Sequence, residues 1–324
     1  MMSLVKDPNN IRVAMLGMVE GNGHPYSWSA IINGRYDAET MAACGYPVIP
    51  QYLGAQPKEN LGIPGVQVTH VWCDIPEDAK KVGKAAFIPF IAERPEDVIG
   101  EVDAVVIATD IGHEHVERCR PFIEAGLPIF VDKPLTDNVE GLRQFIAWHE
   151  AGKAFLSTSA LGYSKEFRAL DSRLDETGEL RLITVTMAKS WERYGIHALE
   201  AVYPMLAAGG YVSVSHRGDG NANFMHLQHE SGVSVLLNVI SDLYGAFGHV
   251  NVYGTKGALH AKFEDTFYAF KTQLEGFVGY LRTGESPVPF SETVELMNIV
   301  IAGIESRGRG GEVVVLMKQG RYDG

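Results

Sequence analysis

The first sustained apolar run, Ile11 to Leu16, lies between Asn9-Asn10 and Gly17, and this short bounded pattern predicts a buried strand. A glycine loop follows, then helical character from Ser27 to Ile32, then an irregular stretch rich in proline, glycine and tyrosine over 33–65. That stretch exceeds an ordinary connection and is predicted to be an insertion near a functional site. Strand pattern returns at Val66 to Cys73, and Pro76 to Lys84 has a proline start and a charged face, as a short helix does. Glu101 to Ala108 is a near-continuous apolar run ending at Thr109, the mark of a parallel strand covered on both faces. His115 to Ala125 predicts a helix stopped by Gly126; Pro128 to Val131 predicts a strand and Asp137 to Gly152 a helix. Strands alternating with helices imply a doubly wound α/β domain over residues 1–155.

Past Phe155 the texture changes. Leu182 to Met187, Tyr211 to Ser215, Phe224 to Gln228, Val233 to Val239 and His249 to Tyr253 succeed one another as strands. Helical pattern over His197 to Ala207, Phe270 to Thr283 and Ser291 to Ser306 suffices to cover one face of an open antiparallel sheet. Residues 156–324 therefore read as a second, α+β domain, with roles in substrate binding and oligomerisation.

Composition narrows the function. The 324 residues carry 28 Lys and Arg against 40 Asp and Glu, a net charge of −12, which disfavours nucleic acid and anionic membranes as partners. Three widely spaced cysteines, Cys44, Cys73 and Cys119, suggest neither a disulfide framework nor a thiolate metal site, and fit a reducing cytoplasm. His113, His115 and Cys119 lack metal-ligand spacing, so no metal is expected. No run of about eighteen apolar residues occurs, so no membrane span is expected.

Gly17, Met18, Gly21 and Gly23, between a strand and a helix, place backbone N–H groups where a pyrophosphate would sit, although the spacing is not G-x-G-x-x-G. Asp74, at the end of the second strand, suits the ribose hydroxyls of NAD and disfavours NADP; its alternative role is to cap the helix beginning at Pro76.

The segment Val105-Val106-Ile107-Ala108-Thr109, then His115, Glu124-Ala125-Gly126 and Asp132-Lys133-Pro134-Leu135 resembles the Gfo/Idh/MocA oxidoreductases, relatives of glucose-fructose oxidoreductase and inositol dehydrogenase. Their Glu-Lys-Pro hallmark corresponds to Asp132-Lys133-Pro134, and a Gly-x-His-x-x-Asp hallmark to Gly195-Ile196-His197-Ala198-Leu199-Glu200. The resemblance implies a Rossmann domain, an NAD cofactor touched also by Ala108, Thr109, Asp110, His115, Asp132, Lys133 and Pro134, and Lys133 and His197 as catalytic pair. Four departures stand beside it: a longer glycine loop, the 33–65 insertion, Asp110 where the family commonly has proline, and Arg193 where inositol dehydrogenases have aspartate. The last alters or abolishes the proton relay of those enzymes.

Lys133 at a strand end would hydrogen-bond cofactor and substrate hydroxyl, and His197, on one helix face with Glu200, would act as general base and acid. Lys189, Trp191, Arg193 and Tyr194 form a polar-aromatic cluster on the loop leaving a strand, suited with Tyr163 to gripping a polyhydroxylated ring or a carboxylate; Tyr244 is a further candidate for the same cleft. His226, His229, His249 and His260 read as surface or interface residues. The expected function is hydride transfer between NAD and a sugar, polyol or sugar acid. Two alternatives remain: elimination or glycosidic cleavage through transient oxidation with retained NAD, and NAD-binding regulation without chemistry. Alternating apolar positions in Val233 to Leu237 suggest a sheet face covered by a second copy, hence a homodimer or homotetramer.

Overall fold

The computed structural model describes residues 2–316. Six strands, β1 (Ile11–Leu16), β2 (Val66–Trp72), β3 (Phe90–Ile91), β4 (Ala104–Ile107), β5 (Ile129–Val131) and β6 (Phe155–Leu156), form an all-parallel sheet in the order 3-2-1-4-5-6. This is the dinucleotide-binding strand order, with its switch point between β1 and β4, where a crevice opens beyond the strand ends. Strand β4 is buried at every residue, as its unbroken apolar run requires.

Helix α1 (His24–Asn33) begins three residues earlier than the Ser27 start in the sequence pattern, because Pro25 sits in its first turn, where no N–H is needed. The 33–65 stretch contains two short helices, α2 (Ala38–Ala42) and α3 (Val48–Gly54). Helices α4 (Pro76–Ala85), α5 (His115–Glu124) and α6 (Val139–Glu150) complete the alternation.

After α7 (Lys165–Asp171) comes a seven-stranded sheet: β7 (Leu180–Ala188), β8 (Tyr211–Gly218), β9 (Ala222–His229), β10 (Ser234–Ile240), β11 (His249–Gly254), β12 (Ala258–Lys262) and β13 (Val314–Val315), in the order 12-11-7-10-9-8-13. The sheet is not purely antiparallel: β10 runs parallel to β7, Val235 opposite Ile183, because β10 inserts between β7 and β9. Helices α8 (Trp191–Val202) and α10 (Phe290–Gly308) pack on one face with Val185, Leu227, Val235 and Val252 beneath them.

Helix α9 (Thr266–Thr283) does not cover this sheet, contrary to the pattern-based expectation. Its Phe267, Leu274, Phe277 and Leu281 join the other core, with Trp28 and Ile31 of α1 and Phe130 of β5. Helix α8 also starts six residues before the expected His197. Ser190 is its N-cap, and Pro204 follows Val202 where a helix cannot easily continue. Trp191, Arg193 and Tyr194 thus stand on the first turns of a helix rather than on a loop. His229 is buried, its Nε2 2.9 Å from Ala207 O, and is not a surface residue.

Candidate active site

Gly17 ends β1 with φ of +87°, and a β-carbon there would stand 2.7 Å from the Thr109 methyl, so only glycine lets the loop pass the end of β4. Gly21 also has positive φ, at +78°. Asp74 does not cap α4, whose N-cap is Ile75; its carboxylate instead accepts from the Met18 N–H at 3.3 Å and from Arg118 Nη2 at 2.8 Å. Arg118 is also bonded to Glu114 and borders a cavity of about 260 Å3 lined by Leu16, Trp72, Pro95 and Ile107. Among the described residues, Thr109 Oγ1, buried beside the loop, has no hydrogen-bond partner. A tight glycine loop, a ribose-type carboxylate, an adjoining apolar cavity and an unused hydroxyl fit a dinucleotide.

His115 is buried, with Nε2 2.9 Å from Thr109 O and Nδ1 2.9 Å from Pro134 O, so it ties the ends of β4 and β5 together. Burial pushes its pKa down.

Asp110 follows β4 and is almost completely buried. It accepts from Arg193 Nε at 3.1 Å and Nη2 at 2.6 Å, and from Lys133 Nζ at 3.2 Å. Burial alone would raise this carboxyl, but Lys133 and Arg193 outweigh it and hold the group well below the usual aspartate range. For Lys133, burial would favour the neutral amine; Asp110 and Asp132 reverse this and raise its pKa, so the ammonium stays charged. Lys133 Nζ also donates to Arg193 O at 3.4 Å and lies 4.7 Å from the centre of the Tyr194 ring. It therefore sits behind Tyr194, one side chain away from the open cavity.

That cavity, about 600 Å3, opens between the two halves of the molecule. Gly21, Asn22, Gly23 and His24 line one wall; Lys189, Tyr194, His197, Phe247 and Phe263 line the other. Tyr46, Ile49 and Tyr52 of the insertion and Phe270 of α9 close a third side, and the exposed Tyr244 stands at the mouth. The insertion is thus part of the site. Lys189 holds a left-handed backbone (φ +67°), which is strained for a non-glycine residue, and donates to Gly21 O at 3.0 Å and to Tyr194 Oη at 2.5 Å. Arg193 Nη2 donates to Glu20 O at 3.1 Å, so two cations, Lys189 and Arg193, hold the glycine loop.

His197 Nδ1 is 2.6 Å from Ser159 Oγ. Burial, with Lys133 and His24 nearby, pushes its pKa well below the ordinary histidine value, so the ring is neutral. Glu200 does not reach it, as its helix spacing had suggested; the carboxylate accepts from the Ser159 N–H at 2.8 Å instead. Ser159 is the partner that helix periodicity missed, since it lies 38 residues away.

Two expected substrate contacts stand elsewhere. Trp191 is wholly buried, its Nε1 donating to Val300 O at 2.9 Å, in a slot made by Gly195 and Gly303. Tyr163 lines a separate cavity of about 120 Å3 with Thr158, Arg168 and Glu200. His24 was not singled out by the sequence at all: its Nδ1 lies 2.6 Å from Asp132 Oδ2, its ring stacks on Trp28 at 4.2 Å, and it faces the cavity. Asp132 further accepts from Asn22 Nδ2 at 2.9 Å and from the Lys133 N–H at 2.8 Å.

Residues 11–158 match the model of an oxidoreductase family with an NAD-binding Rossmann fold, Gfo/Idh/MocA. Among solved structures, the chain is similar to a putative myo-inositol dehydrogenase from Sinorhizobium meliloti 1021 (17% identity, covering 95% of this chain and 100% of that one, TM-score 0.69). Myo-inositol 2-dehydrogenase from Lactobacillus plantarum is similar at 14% identity, covering 95% and 100%, with a TM-score of 0.72. Scyllo-inositol dehydrogenase from Lactobacillus casei, solved with NAD(H) and scyllo-inositol, gives 14%, 94%, 99% and 0.69. No curated protein sequence matches the chain. Residues 11–158 are therefore similar to the NAD-binding Rossmann domain of that oxidoreductase family, and over nearly its whole length the chain shares the fold of these solved structures.

Proposed function

We propose that this protein is an NAD-dependent dehydrogenase that oxidises a secondary alcohol of a sugar, polyol or sugar acid, or reduces the matching ketone. The observation that carries this reading is one cavity, beyond the ends of the parallel strands, on which the glycine loop and two imidazoles, His24 and His197, converge from different parts of the chain. Gly17, Met18, Gly21 and Gly23 would hold the pyrophosphate, and Asp74 the adenosine ribose. Bound NAD supplies the hydride acceptor. The protein supplies the rest: Lys133 keeps a buried positive charge behind Tyr194, whose field favours alkoxide character building in the cavity, and His197, being neutral, is able to hydrogen-bond a substrate hydroxyl. Arg193 is engaged by Asp110, so recognition of a substrate carboxylate falls to Lys189 or Lys262 on the cavity wall. The inositol dehydrogenases among the fold relatives favour a polyhydroxylated substrate.

The test follows NADH absorbance while the protein meets NAD and a panel of polyols, aldoses, glycosides and sugar acids, with Lys133→Ala alongside. Turnover in the unaltered protein, lowered at least a hundredfold in the variant, is expected. Silence across the panel with NAD retained stoichiometrically would reject net dehydrogenation in favour of internal redox chemistry. Among the described residues no helix is long and apolar enough to cross a membrane. The three cysteines, all free thiols, suit the cytoplasm.

A further inference from the structure

Three of those four departures, together with Asp132 in place of the hallmark glutamate, fall into two bonded pairs. Arg193, standing for aspartate, is bound by Asp110, standing for proline. Asp132, standing for glutamate, holds His24, the first residue of α1 after the lengthened glycine loop. Asp110, the carboxylate beside position 193, is thus taken up by a guanidinium and the Lys133 ammonium, whereas Asp132 holds an imidazole that faces the cavity. Resting on the dehydrogenase reading above, we infer that His24, oriented by Asp132, is the group that exchanges the proton of the substrate hydroxyl, and that His197 serves as a hydrogen-bonding partner of the substrate.

The chemistry of the two rings separates them. A carboxylate can only accept, so His24 Nδ1 carries the hydrogen of the 2.6 Å bond to Asp132, which leaves the Nε2 lone pair free to take a proton. Among the described residues no protein group hydrogen-bonds Nε2, and the side chain keeps 17% of its surface accessible on the cavity wall. Trp28, stacked at 4.2 Å, and Phe270, edge-on at 5.1 Å, fix the plane of the ring. Asp132 is itself held by Asn22 and the Lys133 N–H, so the acceptor does not move as charge develops. A proton arriving on His24 creates an imidazolium against a buried carboxylate. One arriving on His197 creates a cation against a serine hydroxyl, in a pocket already facing Lys133. In the oxidative direction the O–H proton passes to His24 Nε2 as the C=O bond forms, and NAD, held by the glycine loop, would take up the C–H electron pair as hydride and so balance the step. Reduction reverses each transfer.

The experiment compares His24→Ala, His24→Gln and His197→Ala in the full-length protein, reading NAD affinity by fluorescence titration and kcat and KM on the best substrate of the panel. The His24 variants are expected to lose about 10²–10⁴-fold in kcat with NAD affinity within threefold, and added imidazole is expected to restore part of the turnover of His24→Ala. His197→Ala is expected to act mainly on KM. Proton NMR gives a readout independent of turnover: a strongly downfield His24 Nδ1–H signal that disappears in His24→Gln and Asp132→Asn. Turnover of His24→Ala within threefold of the unaltered protein overturns the inference while leaving the dehydrogenase reading intact. So does a loss confined to NAD affinity, or a complete loss of kcat in His197→Ala that imidazole restores. Absence of turnover in the unaltered protein with NAD bound rejects the dehydrogenase reading and this role with it.

Discussion

Arg193, on the first turn of α8, grips the carboxylate of Asp110, at the end of β4, through two nitrogens at 3.1 and 2.6 Å, joining two elements whose residues lie 83 apart in sequence. Because Asp110 is buried and also serves Lys133, removing either partner leaves charge without compensation. Asp110→Asn is expected to cost about 3 kcal/mol in urea unfolding, Arg193→Ala somewhat less because the guanidinium is partly exposed, and the double variant less than the sum, with a coupling of about 1–3 kcal/mol. The folded-state pKa of Asp110 is depressed, so its stabilisation is present above the ordinary aspartate range and is lost only as pH falls through the lower folded value. The difference between the native protein and Asp110→Asn should therefore persist at pH 4. Equal stabilities at pH 6 would refute the argument.

Asp74 and Arg118 place both known solutions for the adenosine ribose side by side: a carboxylate for the free hydroxyls of NAD and a guanidinium suited to the phosphate of NADP. Arg118 is occupied by Asp74 and Glu114. Asp74→Ser releases it and removes the repulsive charge, and the ratio of kcat/KM for NADP over NAD is expected to rise about tenfold or more, the worth of one charge-assisted hydrogen bond. An unchanged ratio would place the ribose elsewhere.

Glu200 has its carboxyl pushed up to about 8, by burial first and by Glu292, against the favourable Ser159 N–H bond. A raised acid holds its proton in the folded state after the unfolded chain has released it, so stability falls as pH rises from about 4.5 to about 8, by at most about 1.4 kcal/mol per unit. Glu200→Gln keeps an oxygen for Ser159 and removes the titration. Its melting temperature is expected to be flatter than that of the native protein between pH 5 and 8, and parallel curves would show that Glu200 is more hydrated than its surroundings suggest.

The face of the second sheet turned away from α8 and α10 leaves Phe224 and Tyr253 about two-fifths exposed, with Leu236 partly covered between them and Ser234 and Asn238 along the same strand. An association of at least two copies through this face is expected. Light scattering at micromolar concentration should give a dimer or tetramer mass; a mass near 35.5 kDa would exclude it.

Much of the fold was legible because parallel strands covered on both faces announce themselves as unbroken apolar runs, as Ala104 to Ile107 does. The two-residue strands β3 and β13 are too short to show a period, and nothing local distinguishes a parallel partner from an antiparallel one for β10. Lys133 and His197 were found through motif order. His24 was not, because what gives it meaning is Asp132, 108 residues away, and Trp191 was misplaced because aromatic composition does not reveal which side of a helix faces the core.

The return of α9 to the first core makes the chain's two halves mutually dependent. Phe277 meets Phe130 at 5.3 Å, and Phe270 reaches both His24 and Trp28, so a fragment ending near residue 155 would leave the aromatic floor of its own nucleotide loop facing water. Such a fragment should be sticky and catalytically blind, whereas supplying residues 156–324 in trans would restore a wall, a floor and a clasp together. The unit of inheritance here is the whole chain, and a swap of second domains between relatives would succeed only if the helix matching α9 travelled with the first.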